Sequence, residues 1–331
     1  MKGDGFFFTH YDDFDLPQIT GVRTVADFNH RVEARTATEV ITVSEVVQAR
    51  RIAAMADEVK RRGTVRVALI AGPSSSGKTT FSKRLSIQLM AVGLKPVVLS
   101  LDDYFVNRED TPLDEQGEYD YESLYAVDLP LFNSQLQALI RGEEVQPPTF
   151  NFQTGHREYV SPARSVTPDT VLIIEGIHGL NPELTALIPN EQKFRIFCSV
   201  LSPVVLGDGE QTISTTDNRL MRRILRDKQY RNFSAAETIG RWPSVRRGED
   251  RWIFPFQDTA DVRFDSSFLY ELAILKEKLT PILREVEPDS PHRATAERLA
   301  TYLDYFLAIP DKAVPPTSLL REFFGGSSFH Y

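Results

Sequence analysis

The stretch GPSSSGKT at residues 72–79 has the clearest chemistry in this sequence. It fits G-x-x-x-x-G-K-[ST] and lies between a hydrophobic run and a helix-forming segment, which is the setting of a phosphate-binding P-loop. Its glycines let backbone N–H groups turn toward phosphate oxygens, and the following helix adds its positive N-terminal end. The sequence therefore predicts a nucleoside triphosphate site, with ATP and Mg²⁺ as the expected cofactors.

The residues of this stretch have distinct expected roles. We expect Lys78 to reach the β- and γ-phosphates and the Thr79 hydroxyl to bind Mg²⁺. The predicted nucleotide-contacting residues of the loop and the first helical turn are Gly72, Ser74, Ser75, Ser76, Gly77, Lys78, Thr79 and Thr80.

Acidic residues follow two further hydrophobic runs. SLDDYF at 100–105 supplies Asp102 and Asp103. Because neighbouring side chains of a strand point to opposite faces, only one of the two should face the phosphates. A carboxylate there can take a proton from an attacking hydroxyl or hold Mg²⁺ through water; capping of an acidic turn is the structural alternative. IIEGIHG supplies Glu175, interpreted as metal-linked, and His178, interpreted as lying behind the site or on the surface.

A basic segment, RLMRRILRD, lies farther along the chain. Its i+3 and i+4 spacing places four arginines on one helical face: Arg219, Arg222, Arg223 and Arg226. Phosphoryl transfer needs cations around the transferring group, so the segment predicts a helical lid that closes over the phosphates. A solvated basic surface is the alternative.

The elements that must position these residues alternate between strands and helices. The predicted strands are 65–72, 95–105, 169–180, 193–200 and 261–267, and the predicted helices are 44–62, 76–93, 126–142, 215–230 and 268–279. This order predicts an α/β fold of the P-loop NTPase type, with a mostly parallel sheet flanked by helices and a basic helical lid. Every candidate residue follows a strand end, where such sheets bind ligands.

The pattern divides the chain into three parts. Residues 1–62 form a lead segment with one helix, which Ser44 is expected to cap; residues 63–285 form the P-loop domain; and residues 286–331 form a C-terminal helix and tail. The SLLREFF stretch of the tail could pack on its own domain or on a second subunit.

Composition limits the partners and the compartment. The formal net charge of −8 gives no reason to expect a nucleic acid or an acidic membrane surface as partner. No apolar run reaches the roughly 18 residues of a membrane helix. Cys198 is the one cysteine of the 331 residues, which fits a reducing cytoplasm, and its apolar neighbours predict a buried core position.

Six blocks resemble, in order, the uridine kinase and phosphoribulokinase family: GPSSSGKTTFSKRL, SLDDYF, YDYESLYAVDLPLF, PPTFNFQTGHRE, IIEGIHGLNPEL and RLMRRILRD. The resemblance covers about residues 64–285. It is strongest to bacterial uridine kinase-like proteins, of which this chain looks like a short form without their N-terminal region resembling threonyl-tRNA synthetase. It implies an ATP-dependent kinase that phosphorylates an alcohol group of a small molecule and that can form homo-oligomers.

The resemblance also implies roles for individual residues. Asp102 matches the catalytic base and a metal-linked position, Glu175 the Mg²⁺-linked glutamate, and Asp120 the aspartate that holds ribose hydroxyls. Arg223 and Arg226 match lid arginines that contact phosphates, so Asp102, Lys78 and Arg226 form the predicted catalytic set. Phe150 and Phe152 match the aromatic residues of the base pocket.

The block FNFQTGHR departs from the family pattern YDF-x-x-H-x-R. Asn151 stands at the aspartate, Gly155 at the base-reading histidine, and His156 one position later, whereas Arg157 matches. His156 replaces the missing histidine only if the loop shifts by one residue. The sequence leaves three interpretations open: a kinase for a nucleoside such as uridine or cytidine, a kinase for a sugar phosphate or pantothenate, and a regulatory ATP-binding module.

Overall fold

A computed structural model describes residues 15–207 and 211–330, with a parallel five-stranded sheet at the centre. The strands are β1 Val67–Ala71, β2 Lys95–Ser100, β3 Thr149–Asn151, β4 His156–Glu158, β5 Thr170–Glu175, β6 Lys193–Ser199, β7 Val204–Val205, β8 Thr212–Ile213 and β9 Val262–Asp265. The helices are α1 Leu16–Thr20, α2 Val25–Glu33, α3 Ala37–Arg62, α4 Lys78–Ala91, α5 Leu129–Ile140, α6 Thr215–Arg231, α7 Ala235–Trp252, α8 Glu271–Arg284, α9 Arg293–Asp304 and α10 Arg321–Phe324.

The central sheet has the order β2-β5-β1-β6-β9, and its neighbouring strands are all parallel. Every residue of β1 is buried, as expected of an apolar strand covered on both faces. Glu175 pairs in register with Ile70 on one side and Ser100 on the other. The carboxyl ends of β1, β2 and β5 therefore lie at one edge of the sheet, where they lead into the P-loop, Asp102 and Gly176 respectively. The predicted fold is confirmed.

Several predicted boundaries shift for local reasons. The second strand ends at Ser100 rather than 105, because residues Leu101–Tyr104 form a 3₁₀ turn. The third strand ends at Glu175, where a side chain at Gly176 would come within 2.6 Å of Leu101 Cβ.

The prediction that Ser44 caps the first long helix is wrong. α3 begins at Ala37, and Ser44 lies inside it, buried, with its hydroxyl donating to the Val40 carbonyl at 2.7 Å. The apolar residues Val40 and Ile41 continue the buried face toward the N-terminus.

Some elements carried no clear sequence signal. Helix α7 holds Pro243 and a run of arginines that masks its apolar face, yet a capping box between Ser234 and Glu237 starts it. The short helices α1 and α2 and the hairpins β3–β4 and β7–β8 were likewise not predicted.

The core on one face of the sheet joins all three parts of the chain. Ile41 of α3, Phe81 of α4, and Leu320 and Phe323 of the tail belong to the same buried cluster. Cys198, with its side chain fully buried, lies in this cluster as predicted. No helix of the described residues is long and apolar enough to cross a membrane.

Candidate active site

The loop between β1 and α4 has a shape that requires glycine at both ends. A Cβ at Gly72 would lie 1.9 Å from the Cys198 carbonyl oxygen, so no side chain fits. Gly77 has φ +85°, a left-handed conformation that L side chains rarely adopt. It forms the N-cap of α4, whose first backbone N–H groups have no partners within the helix and point at the loop.

The interior of this loop offers donors for an anion. The hydroxyls of Ser75 and Ser76 are buried without a hydrogen-bond partner among the described residues. Lys78 Nζ folds back and donates to the carbonyl oxygens of Gly72 at 2.9 Å and Pro73 at 3.1 Å. Unsatisfied buried hydroxyls, an ammonium and a helix N-terminus together fit a polyphosphate chain.

Helices α6 and α7 hold the loop from one side. The Ser74 N–H donates to Glu249 Oε1 at 3.0 Å, Arg219 donates to the Ser74 carbonyl at 3.1 Å, and Arg223 donates to the Ser74 hydroxyl at 2.7 Å. Arg219 and Glu249 are both buried and form a two-bonded ion pair, with one contact of 2.9 Å. We call the set Ser74, Arg219 and Glu249 the loop clamp.

The four arginines of the predicted helical face have different roles, because some form buried ion pairs and others lie at the proposed site. Arg222 is fully buried against Glu271 of α8, and Arg219 belongs to the loop clamp, so a solvated surface is wrong for both. Arg226 donates to Asp227 Oδ1 at 3.0 and 2.8 Å. The charge of Arg226, followed by burial, lowers the pKa of Arg231 to about 10, which shows how densely cations gather here.

Two acidic residues lie beside Lys78 at the sheet edge. Burial raises the pKa of Asp102 against the opposing effect of three cations, Lys78, Arg231 and Arg226. Burial and then the charge of Asp102 raise the pKa of Glu175 to about 7, while Glu175 accepts a hydrogen bond from Ser100 Oγ at 3.1 Å. The cations and carboxylates share one low-dielectric site, where electrostatic interactions are strong.

The neighbouring Asp103 turns elsewhere. Its Oδ1 accepts from the Phe150 N–H at 3.3 Å, so it faces the β3–β4 hairpin. The prediction that only one carboxylate of the pair faces the P-loop agrees with this arrangement, although a 3₁₀ turn rather than a strand separates the two side chains.

Sequence reasoning missed Glu122. Burial raises the pKa of Glu122 to about 7. The charges of Arg223 and Lys78 lower this pKa, and those of Glu249 and Asp102 raise it. Its Cβ lies so near α7 that a Cβ at Gly248 would approach it to 2.2 Å. The sequence feature that could have pointed to Glu122 is its position two residues after Asp120 in YDYE. Asp120 Oδ1 accepts from the Glu122 N–H at 3.2 Å.

His178 is buried, not on the surface. Burial lowers its pKa to about 4, so the imidazole is neutral at physiological pH. Its ring meets the Trp252 ring edge-on with centroids 6.4 Å apart.

The FNFQTGHR block forms the hairpin β3–β4. The rings of Phe105, Phe150 and Phe152 make successive edge-on contacts, with centroids 5.7 and 5.2 Å apart. Asn151 Oδ1 accepts from the N–H groups of residues 153 and 154 and so shapes the turn. Gly155 has φ +79°, and a Cβ there would meet Arg108 at 2.8 Å.

The two polar residues at the end of this block have partners of their own. His156 is exposed, and its Nδ1 lies 3.7 Å from Glu109 Oε1. Arg157 donates to Asp128 Oδ2 at 2.8 Å, and Asp128 also caps α5 through the Leu131 N–H. Arg157 therefore fastens the hairpin to α5.

The described residues contain no group of three or more His, Cys, Asp or Glu side chains that could hold a metal ion. Mg²⁺ needs no such cage, because it keeps several waters and commonly takes one or two protein oxygens plus phosphate. The Thr79 hydroxyl and the Glu175 and Asp102 carboxylates provide oxygens of that kind at one edge of the sheet.

Residues 67–206 match the family model "Phosphoribulokinase / Uridine kinase family". This part of the chain is similar to that family. Uridine kinase from Deinococcus deserti is 29% identical over 194 residues, which cover 58% of this chain and 84% of the relative. Uridine kinase from Staphylococcus aureus strain JH9 is 27% identical with the same coverage. A structure titled "possible uridine kinase" from Bacillus stearothermophilus has a TM-score of 0.39 and 21% identity, covering 61% of this chain and 89% of that chain.

The segment that matches the family model contains part of the site described above. The P-loop, Asp102, Asp120, the β3–β4 hairpin and Glu175 lie inside the matched residues. The loop clamp residues Arg219 and Glu249, and Arg223 and Arg226, lie beyond them.

Proposed function

We propose that this protein transfers the terminal phosphoryl group of Mg·ATP to a hydroxyl of a nucleoside, with uridine and cytidine as the first candidates. The family and the uridine kinase relatives support a small-molecule kinase. The observation that carries the proposal is the position of Asp102, a half-buried carboxylate acted on by the charges of Lys78, Arg226 and Arg231 at the mouth of a P-loop.

In this proposal Asp102 takes the proton of the acceptor hydroxyl. The hydroxyl oxygen forms a bond to the γ-phosphorus, the bond from that phosphorus to the bridging oxygen breaks, and ADP leaves. Burial makes Asp102 a stronger base, because it raises the pKa of the carboxyl. Lys78, Arg223 and Arg226 stabilise the negative charge on the transferring group.

Other residues bind and orient the reactants. Thr79, Glu175 and Asp102 would hold Mg²⁺, which neutralises phosphate charge when bound. The P-loop residues and Thr80 bind the nucleotide, and Asp120 orients the sugar. Phe150 and Phe152 form an aromatic wall for a flat base, with Phe152 56% exposed and accessible to an incoming acceptor. His156 and Arg157 border the same wall.

The acceptor is tested by measuring ADP release with Mg·ATP and one compound at a time. The panel is uridine, cytidine, adenosine, guanosine, pantothenate, ribulose 5-phosphate and no acceptor. Release that requires uridine or cytidine supports the proposal. Release with pantothenate or the sugar phosphate instead would assign a different acceptor class. Binding of ATP without turnover on any compound would favour a regulatory module.

Asp102→Asn tests the catalytic assignment. Loss of a general base lowers turnover by a factor on the order of 10²–10⁴, and the Kd for Mg·ATP should change little. Asp103→Asn is the matched control, because its amide oxygen can still accept from the Phe150 N–H and the side chain faces away from Lys78. Similar turnover in Asp102→Asn and the wild type would remove Asp102 as the base.

A further inference from the structure

The C-terminal tail reaches the P-loop through one carboxylate. Glu322 of α10 accepts two hydrogen bonds from Thr80 on the same oxygen, Oε2: the backbone N–H donates at 3.0 Å and the hydroxyl at 2.7 Å. The two residues are 242 positions apart in the chain. No sequence pattern indicates this contact.

The two Thr80 donors lie where a nucleotide phosphate would bind. Thr80 is the third residue of α4, so its N–H is among the groups that a helix N-terminus presents to anions. Lys78 and Thr79 serve the β- and γ-phosphates and the metal, whereas the backbone of such a loop also cradles the α-phosphate. Thr80, one residue farther into the helix, is placed for the α-phosphate, and an acidic side chain of the same protein now accepts from it.

The same tail covers the turn of the loop. The Leu319 side chain lies against Gly77, where a Cβ would be 2.3 Å from Leu319 Cδ2. Phe323 is fully buried beneath the Arg222 guanidinium, 5.0 Å from the ring centroid, and Phe324 is buried as well. These contacts fix the α10 turn in place, so Glu322 can leave Thr80 by rotating its side chain while the turn stays docked.

We infer that Glu322 is an affinity-determining residue of the nucleotide site. Its carboxylate holds the α-phosphate position in the nucleotide-free protein and competes with the nucleotide for the Thr80 donors. The inference rests on the proposed nucleotide site. A carboxylate and a phosphate oxygen are both anions and cannot accept from the same two donors at once, so nucleotide binding must displace the side chain.

The test compares the Kd for Mg·ADP and for Mg·pyrophosphate by calorimetry in the wild type, Glu322→Gln and Glu297→Gln. Glu297 lies on α9, paired with Arg293, and serves as the surface control. We expect Glu322→Gln to bind ADP about tenfold tighter, because a neutral amide competes less well than a charged acceptor. Pyrophosphate can place one of its two phosphoryl groups at the α-phosphate position, so it should also bind Glu322→Gln more tightly than the wild type. The control should match the wild type.

Glu322→Asp separates reach from charge. The aspartate keeps the negative charge but is one methylene shorter, and it should also bind ADP more tightly than the wild type. Thermal melting confirms that each variant is folded, and either variant alone decides the question. Equal or weaker ADP binding in a folded variant would overturn the inference. Absence of ADP binding in every protein, including the wild type, would instead contradict the nucleotide site and the proposed function.

Discussion

Glu175 shows how a single residue couples the site to protein stability. It lies at the end of β5, buried beside Asp102, and its pKa rises from an ordinary value of 4.5 to about 7. Burial is the largest cause, because a low-dielectric environment disfavours the charged form. The carboxyl can therefore release its proton when a cation arrives, as the proposed role of Glu175 in holding Mg²⁺ requires.

This pKa fixes the direction of a pH effect. The folded protein keeps the Glu175 proton up to about pH 7, whereas the unfolded chain releases it near 4.5. The folded state thus binds more protons in this window, and the free energy of unfolding falls as pH rises from about 4.5 to about 7. Glu175→Gln has no such proton to lose. We therefore expect its free energy of unfolding, relative to that of the wild type, to rise by roughly 1–3 kcal/mol between pH 5 and pH 7.5.

Urea unfolding at those two pH values measures the effect. Glu297→Gln provides the control, because that exposed carboxylate lies away from the site on α9. The same pH dependence in Glu175→Gln and the wild type would show that the protein does not hold this proton near neutral pH.

At the scale of elements, the P-loop depends on helices that follow it by more than a hundred residues. The loop clamp joins α6, α7 and Ser74 through a buried ion pair. A second buried pair, Arg222 with Glu271, joins α6 to α8 without touching the loop. The two ion pairs are buried to a similar extent, and only Arg219–Glu249 contacts the P-loop. Comparing them therefore separates an effect on nucleotide binding from an effect on stability.

We expect Glu249→Gln and Glu271→Gln each to lower the free energy of unfolding by about 3–5 kcal/mol, because each leaves a buried arginine without its counter-charge. Only Glu249→Gln neutralises the carboxylate that accepts from the Ser74 N–H, so it alone should weaken Mg·ADP binding. Urea unfolding and calorimetric titration give the two quantities. Equal ADP affinity in the two variants would mean that the clamp does not set the loop geometry.

At the scale of the whole molecule, the tail is part of the core. Leu319, Leu320 and Phe323 are fully buried in the cluster that also contains residues of α3 and α4. The tail therefore packs on its own chain, which is one of the two placements that the sequence allowed. A segment that closes the core and touches the P-loop links folding to the site.

Leu320→Ala should lower the free energy of unfolding by about 2–5 kcal/mol, the cost of a cavity in a packed core. Leu187→Ala is the matched control: that leucine is 64% exposed, and its loss should cost about 0.5 kcal/mol or less. Urea unfolding monitored by tryptophan fluorescence and circular dichroism should give one coincident transition for both. A small cost at Leu320 would show that the tail is not part of the cooperative core.

The sequence by itself determined the parts of this protein that local pattern encodes. GPSSSGKT between a strand and a helix predicted the P-loop, and apolar runs ending in Asp102 and Glu175 predicted acidic residues at one sheet edge. Parallel strands end on the same side of a sheet, so the periodicity of each segment was enough to place them.

Only the tertiary structure decided which polar groups meet across the chain. The i+3 and i+4 spacing places Arg219, Arg222 and Arg223 on the same helical face. It could not show that Arg219 and Arg222 are buried in ion pairs while Arg223 contacts the P-loop. Nor could it show that Glu322 accepts from Thr80. Periodicity shows which side chains share a face of a helix or strand, but not which other element packs against that face. These contacts depend on the packing of elements that are distant in sequence.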